Sequence, residues 1–318
     1  MLIRSKPNIS SKILIIFSFL FFVAESSARD QVFHKVTIPK FGESGNINWV
    51  LQAKFVRMLD QNVYNVGNPI LESLSERFGD TKLWSDKGIF DIAKGFAEGD
   101  SVLFAKGNGF SANGENWRWK DETESGGNHI SLAKSANLSF ESEIPSETIK
   151  KQNLLSNKVV NGTDLNDTQT VAQADLIEFF EVGYGNYSFN LKGSVHIHDR
   201  NLKITCQNME IFVGRDKNVS EQDFGKIREI KANGKVLMIL GTRTCKADTV
   251  VLNTIDGSGI LEGNATVEDS EWGIVSGNKI ILDKETGKAR VVGDIGKRPT
   301  VRIPNSDKFL LPGLKLQK

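Results

Sequence analysis

Few residues of this chain stand in patterns that could do chemistry. The strongest candidate is His196-Ile197-His198-Asp199. Two histidines two apart on a strand share a face and could chelate a metal. A metal-binding jelly roll would also place a glutamate a few residues on, where Leu202 and Lys203 stand. Val195 and Ile197 take the apolar side of that strand, which favours a solvated histidine pair over a metal site. Gly107-Asn108-Gly109-Phe110-Ser111-Ala112 fits the dinucleotide pattern G-x-G-x-x-A. That chemistry needs a helix beginning there to hold pyrophosphate. The residues that follow, Asn113-Gly114 and Trp117-Arg118-Trp119, predict a turn and a strand instead. No G-x-x-x-x-G-K-[ST] occurs, so any ATP hydrolysis coupled to this chain belongs to another protein. None of the four histidines stands beside a serine or cysteine in a nucleophile motif. Carboxylates are plentiful but scattered. No catalytic residue, metal or cofactor is expected.

The elements that carry these residues are strands. From Ile227 to Val291 the hydrophobic period is two, as in Leu261, Gly263, Ala265 and Val267 against Glu262, Asn264, Thr266 and Glu268. Asn233-Gly234, Asp256-Gly257, Gly277-Asn278 and Thr286-Gly287 are expected to be turns. The pattern is that of antiparallel structure with one apolar and one wet face. It also repeats. Glu98-Gly99-Asp100, Lys192-Gly193-Ser194 and Glu262-Gly263-Asn264 each look like the opening of a strand. A second signature pairs a small residue with an apolar one five positions on: Ala133 with Leu138, Cys206 with Ile211, Cys245 with Val250, Gly277 with Leu282. Positions five apart in a flat strand face opposite ways. If both point inward, the strand must bulge or turn a corner at the small residue. A recurring corner predicts an all-β fold of stacked antiparallel strands, an open jelly roll or solenoid, in two consecutive regions.

Composition fits an ordinary folded protein, with 25% charged and 39% hydrophobic residues and a net charge of +1. Lysines and arginines are interspersed with acids, so no nucleic-acid footprint is present. Residues 1–28 have the form of a secretory signal peptide: Arg4, Lys6 and Lys12, then the apolar run Ile13 to Ala24, then Ser26-Ser27-Ala28. A span of the bilayer needs about 20 apolar residues, which argues against the alternative, an uncleaved inner-membrane anchor. Residues 29–145 form a first β region, 146–174 a polar linker, 175–301 a second β region and 302–318 a tail. Export places Cys206 and Cys245 in an oxidising compartment. They occupy equivalent places in successive units, Thr-Cys-Gln-Asn-Met and Thr-Cys-Lys-Ala-Asp. Stacked units would bring them close, as a disulfide requires; two buried free thiols are the alternative.

In the second β region the order I-x-x-I-x-A-x-G-x-V, A-D-x-V, G-x-L-E-G-N-A-x-V and V-x-G-x-x-I-x-L-D-x-x-T-G-x-A resembles the OstA-like family. These are periplasmic proteins of lipopolysaccharide transport, of the LptA type. The residues that carry the likeness include Ile227, Ile230, Ala232, Gly234, Val236, Ala247, Asp248, Val250, Leu261 to Asn264, Val267, Gly277, Ile280, Asp283 and Gly287. The first β region, with Trp49, Leu51, Ala53, Gly88, Phe90, Gly99, Val102, Gly109, Trp117 and Trp119, resembles the LptC-like part of the same system. The resemblance implies a periplasmic protein that shelters lipid acyl chains in an apolar groove and helps bridge inner and outer membranes. Its apolar inner face would comprise Val195, Ile197, Ile204, Val236, Met238, Leu240, Leu261, Ala265 and Val267. Its partners would be lipopolysaccharide or lipid A, other β-jellyroll transport proteins through edge strands, and indirectly an ATP-binding transporter. The competing expectation is a secreted structural β-repeat protein of the envelope or of adhesion, with a closed core and no lipid ligand. A cupin-like metalloenzyme is a third.

Overall fold

A computed structural model describes residues 31–41, 45–73, 81–122, 127–140, 169–183, 186–214, 226–269, 273–283, 288–293 and 298–302. The expected signal segment, residues 146–168 of the expected linker, the expected Thr286-Gly287 turn and the tail beyond 302 lie outside them. Strands account for the described structure because apolar and polar residues alternate along it. Chain order begins with β1 (Val32–Phe41) and β2 (Ile47–Asp60). Short pieces follow: β3 (Val63–Gly67), β4 (Ile70–Ser73), β5 (Lys82–Ser85), β6 (Lys87–Asp91), β7 (Phe96–Gly99) and β8 (Leu103–Gly107). Then come β9 (Phe110–Glu122), β10 (Gly127–Phe140), β11 (Thr170–Ala174), β12 (Leu176–Gly183), β13 (Asn186–His198) and β14 (Leu202–Gly214). The last are β15 (Lys226–Leu240), β16 (Arg243–Asn253), β17 (Ser258–Asp269), β18 (Gly273–Asp283), β19 (Ala289–Val292) and β20 (Thr300–Arg302).

All twenty strands join one antiparallel sheet. Its pairing follows chain order as a stack of rungs. Some rungs are single long strands; others are two collinear halves, β3 with β4, β6 with β5, β7 with β8, β12 with β11, and β19 with β20. Each rung has one segment in a first half-sheet, containing β3, β6, β7 and β12, and one in a second, containing β4, β5, β8 and β11. The two half-sheets fold onto each other along the line where the rungs bend. Trp49 of the second half-sheet meets Trp119 of the first at 5.8 Å, edge to face. The expected stack of bent antiparallel strands is therefore present. Pairing runs without a break from the first β region into the second, since β10 bonds both β11 and β12. Residues 170–174, placed in the linker by their composition, are strand β11, with Thr170 and Ala172 fully buried.

The bend is built from glycine. In β13, β15 and β17 two successive residues take positive φ: Gly193 (73°) with Ser194 (45°), Gly234 (84°) with Lys235 (54°), and Gly263 (75°) with Asn264 (50°). Each pair coincides with a register shift against the following strand. Two residues there oppose one, so the strand turns while both of its arms keep their apolar side inward. Close approach demands glycine as much as φ does. A Cβ on Gly193, Gly234 or Gly263 would lie 2.3, 2.6 or 2.4 Å from a side-chain oxygen of Asp175, Gln207 or Asp248 of the preceding rung.

This geometry corrects several expectations. Asn233-Gly234 and Gly277-Asn278 are not turns but mid-strand corners inside β15 and β18. Asn113-Gly114 likewise lies inside β9, and Gly193 and Gly263 sit within strands rather than opening them. In each case φ freedom or close packing is used to bend a strand rather than to end one. Asp256-Gly257 is a true turn, between β16 and β17. Of the small-then-apolar pairs, Cys206 with Ile211 and Cys245 with Val250 are both buried across the corner. Gly277 and Leu282 also lie on the inner side, by their pairing to Ala265 and Gly259. Ala133 is exposed, and Ala136 takes the inward place because Ser135 supplies the positive φ.

Candidate functional site

The inner surfaces of the half-sheets form continuous ladders. In the second, Ile197, Ile204, Met238, Cys245, Val267 and Val275 stand opposite one another in successive rungs. The ladder extends upstream through Ala172, Leu138, Ala112, Ala105, Leu83 and Leu71, and downstream to Val301. In the first half-sheet Leu191, Met209, Ala232, Val250, Leu261 and Ile280 do the same, ending on Val291. Cross-strand alignment of this kind is what makes an apolar surface continuous rather than patchy.

The nine residues read as a lipid-sheltering face are part of the protein's core. Val195, Ile197, Ile204, Val236, Met238, Leu261, Ala265 and Val267 are buried, and Leu240 is half-buried against the same core. The half-sheets pack directly on one another, and the space between them is filled by the protein's own side chains. Two cavities, of about 10 and 20 Å³, lie among Trp49, Leu71, Leu83, Trp117 and Trp119, and each is only the size of a water molecule. Exposure rises toward the ends of the stack. Val301 is 60% exposed at one end and Phe33 40% at the other. Ala232, of the same parity as Val236, also lies on this face; Met209, Val250 and Ile280 were left out of the nine because in β14, β16 and β18 the corner reverses which sequence parity faces inward. The signal for them was the three-residue step from Cys206 to Met209 and from Ala247 to Val250.

The cysteines are not a disulfide. Both thiols are free and buried. Cys206 lies on β14 and Cys245 on β16, with β15 between them. Strands two apart are separated by about 9–10 Å, beyond the reach of an S–S bridge. The repeat places them equivalently along their strands but not on neighbouring strands. Burial pushes both thiols up to about 11, so neither is a thiolate near neutral pH.

His196 and His198 point outward and are exposed. Around them the outer face is polar, with ion pairs between neighbouring rungs: Lys134 to Glu115 at 2.6 Å, Lys192 to Glu178 at 2.8 Å, Lys279 to Glu262 at 2.6 Å. Among the described residues no three of His, Cys, Asp or Glu gather in a metal-binding group. Gly107 to Ala112 spans the β8–β9 hairpin, with no helix for a pyrophosphate.

Residues 178–288 match the family described as LptA/(LptD N-terminal domain) LPS transport protein. This segment is OstA-like. It runs from β12 through β18 and contains every expected inner-face residue. No curated protein matches the chain. One similar solved structure is the crystal structure of LptH, the LptA homologous periplasmic component of the conserved lipopolysaccharide transport device from Pseudomonas aeruginosa. It is 17% identical, with a TM-score of 0.34, over 42% of this chain and 94% of that one. The OstA-like segment and the rungs before it share one sheet, so both ladders enter the matched region from upstream without interruption.

Proposed function

We propose that the chain is an exported periplasmic carrier of lipopolysaccharide that shelters acyl chains between its half-sheets and helps bridge the two membranes. The observation that carries this reading is the pair of uninterrupted apolar ladders crossing the OstA-like segment and ending on half-buried Val291 and exposed Val301. Half-sheets whose facing residues are mostly apolar can exchange those contacts for lipid methylenes, each contributing about 0.8 kcal/mol. Sugars and phosphates would remain on the polar outer face. Residues 29–145 act as the LptC-like part and 175–301 as the LptA-like part. β1 at one end, and β19 with β20 at the other, recruit neighbouring jelly rolls by strand addition. ATP hydrolysis belongs to a separate transporter.

Photo-crosslinkers test this directly in cells. Placed at Ile204, Met238 or Val267 they should capture lipopolysaccharide; placed at His196 or His198 they should not. Equal capture on both faces would mean nonspecific membrane contact. The tight packing of the inner residues supports a second reading, a structural β-repeat protein whose interior is simply its core. Capture at neither face would favour it.

A further inference from the structure

We propose that the interior holds two separate acyl-chain sites divided by an aromatic partition, not one continuous groove. This rests on the lipid-sheltering reading above and specifies where the lipid sits. Phe110 and Phe140 come from the second half-sheet, on β9 and β10. Phe179, Tyr187 and Phe189 come from the first, on β12 and β13. All five are at most 1% exposed. Phe110 stands at the centre, 5.7 Å from Phe179, 4.8 Å from Tyr187 and 5.0 Å from Phe189, each edge to face. Phe140 packs on Phe189 at 5.4 Å. The rings therefore span the interior from one half-sheet to the other, at the junction between the first β region and the OstA-like segment.

The two sides differ in chemistry. Upstream lie the two water-sized cavities, and Phe179 and Tyr187 form a wall of the smaller one. Trp117 lines the other and keeps its indole N–H buried without a partner. That side offers a hydrogen-bond donor to an acyl chain carrying an ester or hydroxyl oxygen. Downstream, the buried core residues from β14 onward are aliphatic or sulfur-containing, with no aromatic ring, and include the small Ala232, Ala247 and Ala265. Two polar contacts near the partition also cross between the half-sheets. Thr81 shares a hydrogen bond with Tyr187 at 3.1 Å, and Lys40 pairs with Asp121. Parting the half-sheets at the partition disrupts interlocked rings and a buried hydroxyl pair; parting them on the downstream side disrupts aliphatic contacts.

The experiment uses the full mature chain and palmitic acid bearing a mid-chain diazirine, with adducts mapped by peptide mass spectrometry after photolysis. Wild-type adducts should fall in two groups, around Leu83 and Trp117 and around Met238 and Cys245, with at least tenfold fewer on Phe110 and Phe189. In Phe110→Ala the groups should merge across Phe140 and Phe179. Phe110→Leu, which keeps most of the apolar volume, provides the same reading if the alanine variant does not fold. Adducts spread evenly through Phe110 and Phe189 in the wild type would overturn the partition while leaving lipid sheltering intact. Two groups that stay apart in both variants would also overturn it. Interior adducts in no protein would overturn the lipid reading itself.

Discussion

At the corner of β17, Gly263 meets two demands at once: a φ of 75° and a Cβ position already occupied by Asp248. Gly241, in the turn after β15, has a φ of 58° but nothing within 4 Å of its Cβ position. Left-handed backbone costs an L-residue roughly 1–2 kcal/mol. Gly241→Ala should lose about that much stability in urea unfolding. Gly263→Ala should lose clearly more, and adding Asp248→Gly, which also removes the Cβ 2.8 Å away, should recover part of the difference in a double-mutant cycle. Equal losses at the two glycines would show that close approach is irrelevant at the corner. The thiols permit a second residue-scale test. Their protonation constants are raised in the folded state, so the unfolded chain loses its protons first as pH rises. Their contribution to stability is complete below about pH 9 and falls as pH rises toward 11. Cys206→Ser with Cys245→Ser should flatten the stability profile over that window. Thiol titration should find two free thiols after unfolding without reductant, and slow reaction before it.

At the scale of elements, the strands and their inward residues were legible because the period of two is set by the pleat alone. Val195 and Ile197, and Leu261 and Ala265, could be placed without knowing any neighbour. The corners were harder. A glycine at positive φ ends a strand in a hairpin and bends one in a bulge, and Asn233-Gly234 is spelled the same way in both. Only the rung beneath decides, where Gln207 packs against Gly234. The disulfide failed for a related reason: the repeat fixes position along a strand, while the number of strands between two repeats is set by pairing. β11 was hidden by polar surroundings, since its burial comes from Phe140 and Ile197 on adjoining strands. The terminal strands permit a test of assembly. Among the described residues β1 pairs only with β2, and it carries Pro39, a residue suited to an edge. Among the described residues β20 pairs only with β18. Light scattering should show association rising with concentration, and Val292→Lys with Val301→Lys should suppress it. A wild-type chain that stays monomeric throughout would remove the case for strand addition.

Over the whole molecule, stability is carried rung to rung, as in a solenoid, where each unit contacts only its neighbours. The aromatic partition is the place where side chains of the first β region and the OstA-like segment interlock. Calorimetry of the wild type should show one transition. Truncating a buried phenylalanine costs about 3–5 kcal/mol, so Phe110→Ala should lower the melting temperature and separate that transition into two. A uniform downward shift with a single transition would place the coupling in backbone pairing instead.

Because pairing follows chain order, the fold is also a measuring stick with a fixed graduation. Each rung adds about 4.8 Å along the stack, and adjacent rungs run in opposite directions. Removing or adding one rung would reverse the chain and exchange the faces presented at the end. Removing or adding a hairpin of two leaves direction, inner face and terminal edge as they were. Length in this architecture can therefore change only in steps of about 10 Å, and β15 with β16 marks out one such step.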